Sequence, residues 1–226
     1  MSILFLAAAA LLPSASHPGV VDQDTVFVAD TTVCSCQITY KPVVTLSEAE
    51  PPSLFVLGLS VARLRDGRYV TTGVGDRQTV ALYLRNGQLQ RDVGRPGNGP
   101  GEFVQPTRVR VGRADSLFII DVGSRRVSIF SERGDFVRSV GTPQTRIDDL
   151  LELPNGQLIA AGSSFSKDGA GFSLHVLDRR NGATRPIGES IPAYDPRSHQ
   201  ADLRRLVSNA DDGSFWEGRI NQYLLV

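Results

Sequence analysis

Three histidines and two cysteines are the side chains of this 226-residue chain best suited to catalysis or metal binding. His17 lies near the N-terminus and His175 in a run of alternating apolar residues. His199 sits in the polar stretch GESIPAYDPRSHQAD, 188–202, with Tyr194 and Asp195 close by. No two histidines share a metal-ligand spacing, and the sequence assembles no Ser-His-Asp set. Catalytic residues and metal ligands are therefore unassigned from sequence, and no cofactor is identified. Cys34 and Cys36, in VCSCQ, are the only cysteines. On a strand they would face the same way with Cα atoms about 6.7 Å apart. That is the wide limit for a disulfide, so a Cys34–Cys36 bridge requires local bending. A zinc site is disfavoured, because nothing nearby supplies the remaining ligands.

GRPGNGPGEFVQP, 94–106, has the glycine content of a phosphate-binding loop. A P-loop needs Lys and Ser or Thr after its last glycine, at the start of a helix. Here Gly101 is followed by Glu102, Phe103 and Val104, and Pro106 discourages a helix. The spacing of Gly97, Gly99 and Gly101 does not fit a dinucleotide fingerprint either. Glu102 would place a negative charge where a phosphate should sit. The stretch reads instead as a tight crossing between two pieces of sheet.

Lys plus Arg equals Asp plus Glu at 24 each, which argues against a nucleic-acid partner held by a strong positive field. Lys41 and Lys167 are the only lysines. Ile3 to Leu12, followed by PSASH, is too short to span a bilayer and fits a signal-peptide core, with cleavage expected after Ser16. No Lys or Arg precedes it, which leaves a buried N-terminal segment as the alternative. The expected location is exported, periplasmic or extracellular, with no transmembrane segment beyond residues 1–16. Residues 17–39 form an N-terminal segment carrying the cysteine pair.

The remaining sequence is short β-type runs cut by turn residues. ALYLRNGQLQRDVG, 81–94, has two alternating strands around Asn86-Gly87, a pair whose members can both take positive φ. VSIFSERGDFVRSVG, 127–141, and LHVLDRRNGATRPIG, 174–188, repeat that shape. Their turn glycines, Gly87, Gly134 and Gly182, are 47 and 48 residues apart. A second hairpin precedes each of them, with turns at Asp66-Gly67, Ala114-Asp115 and Asn155-Gly156, and a further one turns at Asp212-Gly213. The unit is thus four antiparallel strands. This predicts an all-β fold, a β-propeller of four-stranded antiparallel blades. The expected blades are about 57–94, 107–141, 147–188 and 203–226, the last incomplete. YKPVVTL, 40–46, ends 47 residues before Val93 and reads as an orphan outer strand that latches the ring. The expectation is an incomplete ring of about three and a half blades plus that latch, from a longer natural protein. Two further blades would add about 95 residues at this period.

GRPGNGPGEFVQPTRVRV and DSLFIIDVGSRRVSIFSERGDFVRSVG resemble an NHL-repeat blade with its preceding loop. In that family a Gly-rich stretch, Gly-Glu-Phe and a Pro lead into the innermost strand. An Asp-x-Gly-Asn-x-Arg-Val element then joins the second and third strands. Here it reads Asp121 to Val127, with Ser124 in place of Asn. The match covers 94–141 and is faint elsewhere. The resemblance implies a divergent six-bladed propeller of an exported bacterial type. It makes 94–106 an inter-blade crossing with Phe103 as a plug. Asp121 and Arg126 read as structural, pairing with each other or capping a turn.

Fold alone does not give function. One reading is a binding or interaction module for a protein or polar ligand. Its candidate residues are Arg77, Arg125, Asp148, Asp195 and His199, on the rim formed by the crossings and the second-to-third-strand loops. The alternative is a metal-assisted, lactonase-like hydrolase or lyase with Ca or Zn on the propeller axis.

Overall fold

The computed structural model describes residues 39, 41–46, 60–72, 80–143, 145–165, 171–188, 190, 205–209, 214–219 and 224–225. The leader 1–16, Cys34, Cys36, Arg77, Asp195 and His199 lie outside those residues.

Four sheets follow one another along the chain, each an up-and-down antiparallel meander. The first contains β1 (Ser60–Arg63), β2 (Tyr69–Thr72), β3 (Val80–Tyr83) and β4 (Leu89–Val93). The crossing after it carries a short parallel pair, β5 (Arg95–Pro96) and β6 (Glu102–Phe103). The second sheet contains β7 (Pro106–Val111), β8 (Leu117–Asp121), β9 (Arg126–Phe130) and β10 (Phe136–Gly141). The third contains β11 (Arg146–Glu152), β12 (Leu158–Phe165), β13 (Gly171–Leu177) and β14 (Thr184–Ile187). The fourth has three strands, β15 (Arg205–Asn209), β16 (Phe215–Arg219) and β17 (Leu224–Leu225). Among the described residues, three four-stranded blades and one three-stranded blade make an incomplete propeller ring.

One turn design closes four of the hairpins. The N–H groups of Leu64, Leu84, Ser131 and Leu153 donate to the carbonyls of Arg68, Gln88, Asp135 and Gln157. Inside each, a glycine N–H donates back to the first residue's carbonyl. Those glycines, Gly67, Gly87, Gly134 and Gly156, have φ between +81° and +90°. This is the three-residue loop with a left-handed last residue. Asn86 does not share the positive φ that the Asn-Gly pair suggests. Arg85 lengthens the loop by one residue, so a single left-handed position suffices. The Asn86 side chain instead accepts the Gln88 N–H at 3.1 Å.

Period-2 alternation divides each blade between two neighbours. In β8, Leu117 and Ile119 face the first blade and join Leu64, Val70, Val80 and Leu82. Phe118 and Ile120 face the third blade and meet Ile147, Leu150 and Leu158. This is why LFIID is buried at every position. A third cluster joins Leu151, Ile159 and Leu174 to Val207 of the fourth blade.

Polar side chains tie the innermost strands together. Ser60 Oγ donates to the Val109 carbonyl at 3.3 Å and accepts the Val109 N–H at 3.2 Å. Arg110 grips Asp149 through two N–H groups, the Nε bond being 2.6 Å. Asp149 is fully buried and also accepts the Val207 N–H at 3.4 Å, so one carboxylate links the second, third and fourth blades.

Of the expected outer strand 40–46, the described residues 41–46 have no strand pairing among the described residues. Their position is nevertheless informative. A Cβ on Gly87 would meet the Thr45 carbonyl, as one on Gly134 would meet Val93 and one on Gly182 the Gly141 carbonyl. Residues 44–45 therefore stand against the first blade where the end of β4 stands against the second.

Candidate functional site

The site is built on the loop between β8 and β9. Asp121 ends β8 with no solvent exposure. Its carboxylate accepts the N–H groups of Val104 at 3.0 Å, Gln105 at 2.8 Å and Ser124 at 3.4 Å, and the Ser124 hydroxyl. It therefore holds both the end of the inter-blade crossing and its own loop, as a turn cap does. The Val122 N–H donates to the Gln105 carbonyl at 3.1 Å. Gly123 must lack a Cβ, which would come within 2.7 Å of Val104.

Arg126 reaches back into the glycine-rich crossing. It donates to the carbonyls of Asn98 at 2.9 Å and Glu102 at 2.5 Å, and its Nε lies 3.9 Å from Asp121. The crossing is closed by its own acid. Glu102 accepts the Gly99 N–H at 2.7 Å and an N–H from Arg95 at 2.7 Å. The Gly99 bond first, and then Arg95, hold its carboxyl below the usual carboxylate range. A backbone N–H that could cradle a phosphate is thus occupied from within the loop. Phe103 is fully buried between the first two blades, with its ring 5.6 Å from that of Phe130.

Between this loop and the entry to β11 lies a pocket of 380 Å³. Ile120 and Ile147 contribute apolar surface, and Thr142 and Thr145 contribute buried hydroxyl-bearing residues. Arg125, Arg126 and Arg146 supply three guanidinium groups. Arg125 has left-handed backbone geometry at φ +48°. Such geometry costs a residue with a Cβ about 1–2 kcal/mol. It is maintained by two hydrogen bonds to the Arg125 carbonyl, from the Thr142 N–H at 2.8 Å and the Thr142 hydroxyl at 3.3 Å. The guanidinium donates to the Pro143 carbonyl at 3.2 Å. Across the pocket, Arg146 Nε donates to Asp148 at 3.0 Å.

Of the five rim residues expected from sequence, Arg125 lines the pocket. Asp148 does not line it, but is bonded to Arg146, which does. Asp148 lies inside β11 rather than in a loop, because the bulge between Ile147 and Asp149 lets that strand begin at Arg146. Arg77, Asp195 and His199 fall outside the described residues. Arg146 and Thr142 were not singled out from sequence. Their place in the crossing just before β11 is the signal that could have found them.

His175 is fully buried in β13, with Nε2 2.7 Å from Ser164 Oγ. Burial pushes its pKa down. Among the described residues, no group of three or more His, Cys, Asp or Glu side chains could hold a metal ion. No helix among them is long and apolar enough to cross a membrane.

Consecutive four-stranded meanders, packed face to face with their first strands side by side, define a β-propeller. Residues 58–212 match the model of the family DUF5128, described as a 6-bladed beta-propeller, and the chain belongs to that family. No curated protein matches the chain. Among solved structures it is similar to a candidate exported protein from Bacteroides fragilis, at 17% identity and a TM-score of 0.51. That alignment covers 65% of this chain and 42% of the other, so the chain spans less than half the length of that protein. It is also similar to virginiamycin B lyase from Staphylococcus aureus, at 10% identity and a TM-score of 0.41, covering 70% of this chain and 62% of the other. The likeness to the Bacteroides fragilis protein is one of fold alone.

Proposed function

We propose that the chain belongs to an exported β-propeller, periplasmic or extracellular, that acts as a binding module. The proposed site is the pocket between the second and third blades, and its occupant is a small polar ligand. The observation that carries this reading is Arg125. The backbone is held in an unfavourable conformation by Thr142, and its side chain lies at the edge of a concave pocket. Strain that the surroundings over-determine is concentrated at ligand sites. The pocket volume is within the range of small-molecule sites, and convergent donors beside apolar surface are what such sites use.

The test is a library of small polar compounds screened by NMR against the isotope-labelled chain. Shift changes clustered at Val122, Thr142 and Ile147 are expected. Changes confined to other surfaces would overturn the assignment of this pocket. Export is tested separately, by fusing residues 1–16 to a reporter that is active only outside the cytoplasm.

A further inference from the structure

We infer that the group this pocket recognises is the carboxylate of a small monoanionic ligand, clamped between Arg125 and Arg146. The inference rests on the reading of the pocket as a binding site and adds the chemistry of the occupant. Of the three guanidiniums, Arg126 is committed through its terminal nitrogens, its buried Nε–H having no hydrogen-bond partner among the described residues. Its terminal N–H groups hold the carbonyls of Asn98 and Glu102, and it is close to Asp121. Arg125 and Arg146 differ from it. Among the described residues Arg125 donates one bond, to Pro143, and Arg146 donates through Nε alone, to Asp148. Among the described residues their remaining N–H groups have no hydrogen-bond partner, and both residues line the pocket. A guanidinium presents donors in a planar fork that matches a planar carboxylate.

The charge count selects a monoanion. Three guanidiniums face two carboxylates, the buried Asp121 and the partly exposed Asp148, which leaves one positive charge. A carboxylate neutralises that charge, whereas a phosphate dianion would exceed it. Ile120 and Ile147 offer apolar surface for the rest of the ligand.

Arg125 also separates a binding role from a structural one. If the side chain served the fold, replacing it would cost stability. If it serves a ligand, a residue that tolerates φ of +48° should keep or raise stability while removing binding.

The experiment titrates the full chain with benzoate, with its neutral analogue benzamide and with inorganic phosphate, each followed by NMR of arginine Nε–H groups. Benzoate is expected to shift Arg125 and Arg146 and to bind roughly tenfold or more tighter than benzamide, the effect of one charge-assisted pair. Arg125→Asn should weaken benzoate by a similar factor without lowering the unfolding midpoint. Asp148→Asn, which removes the opposing charge, should tighten it. Equal binding of benzamide and benzoate would overturn the inference and leave the binding pocket standing. Tighter binding of phosphate than of benzoate would overturn the carboxylate assignment. Absence of any shift at the pocket with all three probes would overturn both the inference and the reading beneath it. An Arg125→Asn variant that unfolds more readily than the wild type would assign Arg125 to the fold and end the proposal.

Discussion

Replacing Asp121 by Asn tests whether one carboxylate organises both the crossing and the loop that frames the pocket. Asp121 accepts three backbone N–H groups and one hydroxyl, and it has no solvent exposure. Asparagine keeps one acceptor oxygen and turns the other into a donor. The Val104 and Gln105 N–H groups bond to different oxygens of Asp121, so one of them must then face an NH2 group. A hydrogen bond to a charged acceptor is worth about 1.5–3 kcal/mol, and an orphaned buried donor costs a further 1–3 kcal/mol or so. Both N–H groups are only partly buried, so water recovers part of that loss. The expected cost is about 2–4 kcal/mol, a large share of the roughly 5–15 kcal/mol that holds a domain folded. Urea denaturation of wild type and Asp121→Asn reads it directly. At a slope of about 2 kcal/mol per molar urea the midpoint should fall by about 1–2 M. A shift equivalent to less than about 1 kcal/mol would show that Asp121 is not the shared anchor, and the account of the loop would be wrong.

His175 should make stability pH-dependent. Its folded pKa lies below the ordinary value near 6.5. The unfolded chain therefore takes up the proton first, and stability present above pH 6.5 is lost as the pH falls towards the folded value. Thermal unfolding between pH 7.5 and 5.5 should show a falling midpoint, and His175→Gln should flatten that slope. Gly94→Ala places a Cβ 2.6 Å from the Gly101 carbonyl at a φ of +71°, and should cost about 2–4 kcal/mol in thermal or urea unfolding. For a binding module without a structural cation, chelation of Ca and Zn should leave the unfolding midpoint unchanged. A drop of several degrees, reversed by adding metal back, would favour the metal-assisted alternative.

The strands were legible because each blade must bury two faces. Leu117 to Ile120 could be recognised as a buried strand from its unbroken apolar run, and the hairpins from glycines at a fixed offset. The interior of the crossing was not legible. Nothing in the order GRPGNGPGEF says that Glu102 will fold back onto Gly99, or that Arg126 will reach across 24 residues to the Glu102 carbonyl. Those contacts depend on where two blades stand relative to each other. The pocket was hidden for the same reason. Its two sides come from 120–126 and 142–147, and only the turn of the ring between the second and third blades brings them together. Arg125 was singled out for lying on the rim. Its left-handed φ could not have been read, because arginine carries no preference for it.

Strain at Arg125 and satisfaction at Asp121 belong to a single arrangement. The loop from Asp121 to Arg126 is held at its start by the carboxylate and at its end by the Arg126 guanidinium, both acting on the same crossing. With both ends fixed, the residue between them must absorb the geometry that remains, and Thr142 of the following crossing stabilises the result. A glycine or asparagine would fit that position at lower cost. An arginine there is hard to account for by folding alone, since among the described residues its side chain returns one exposed hydrogen bond, to Pro143. That imbalance, a cost of about 1–2 kcal/mol against an exposed bond worth less, is the physical reason to look for a ligand at this guanidinium before any other in the chain.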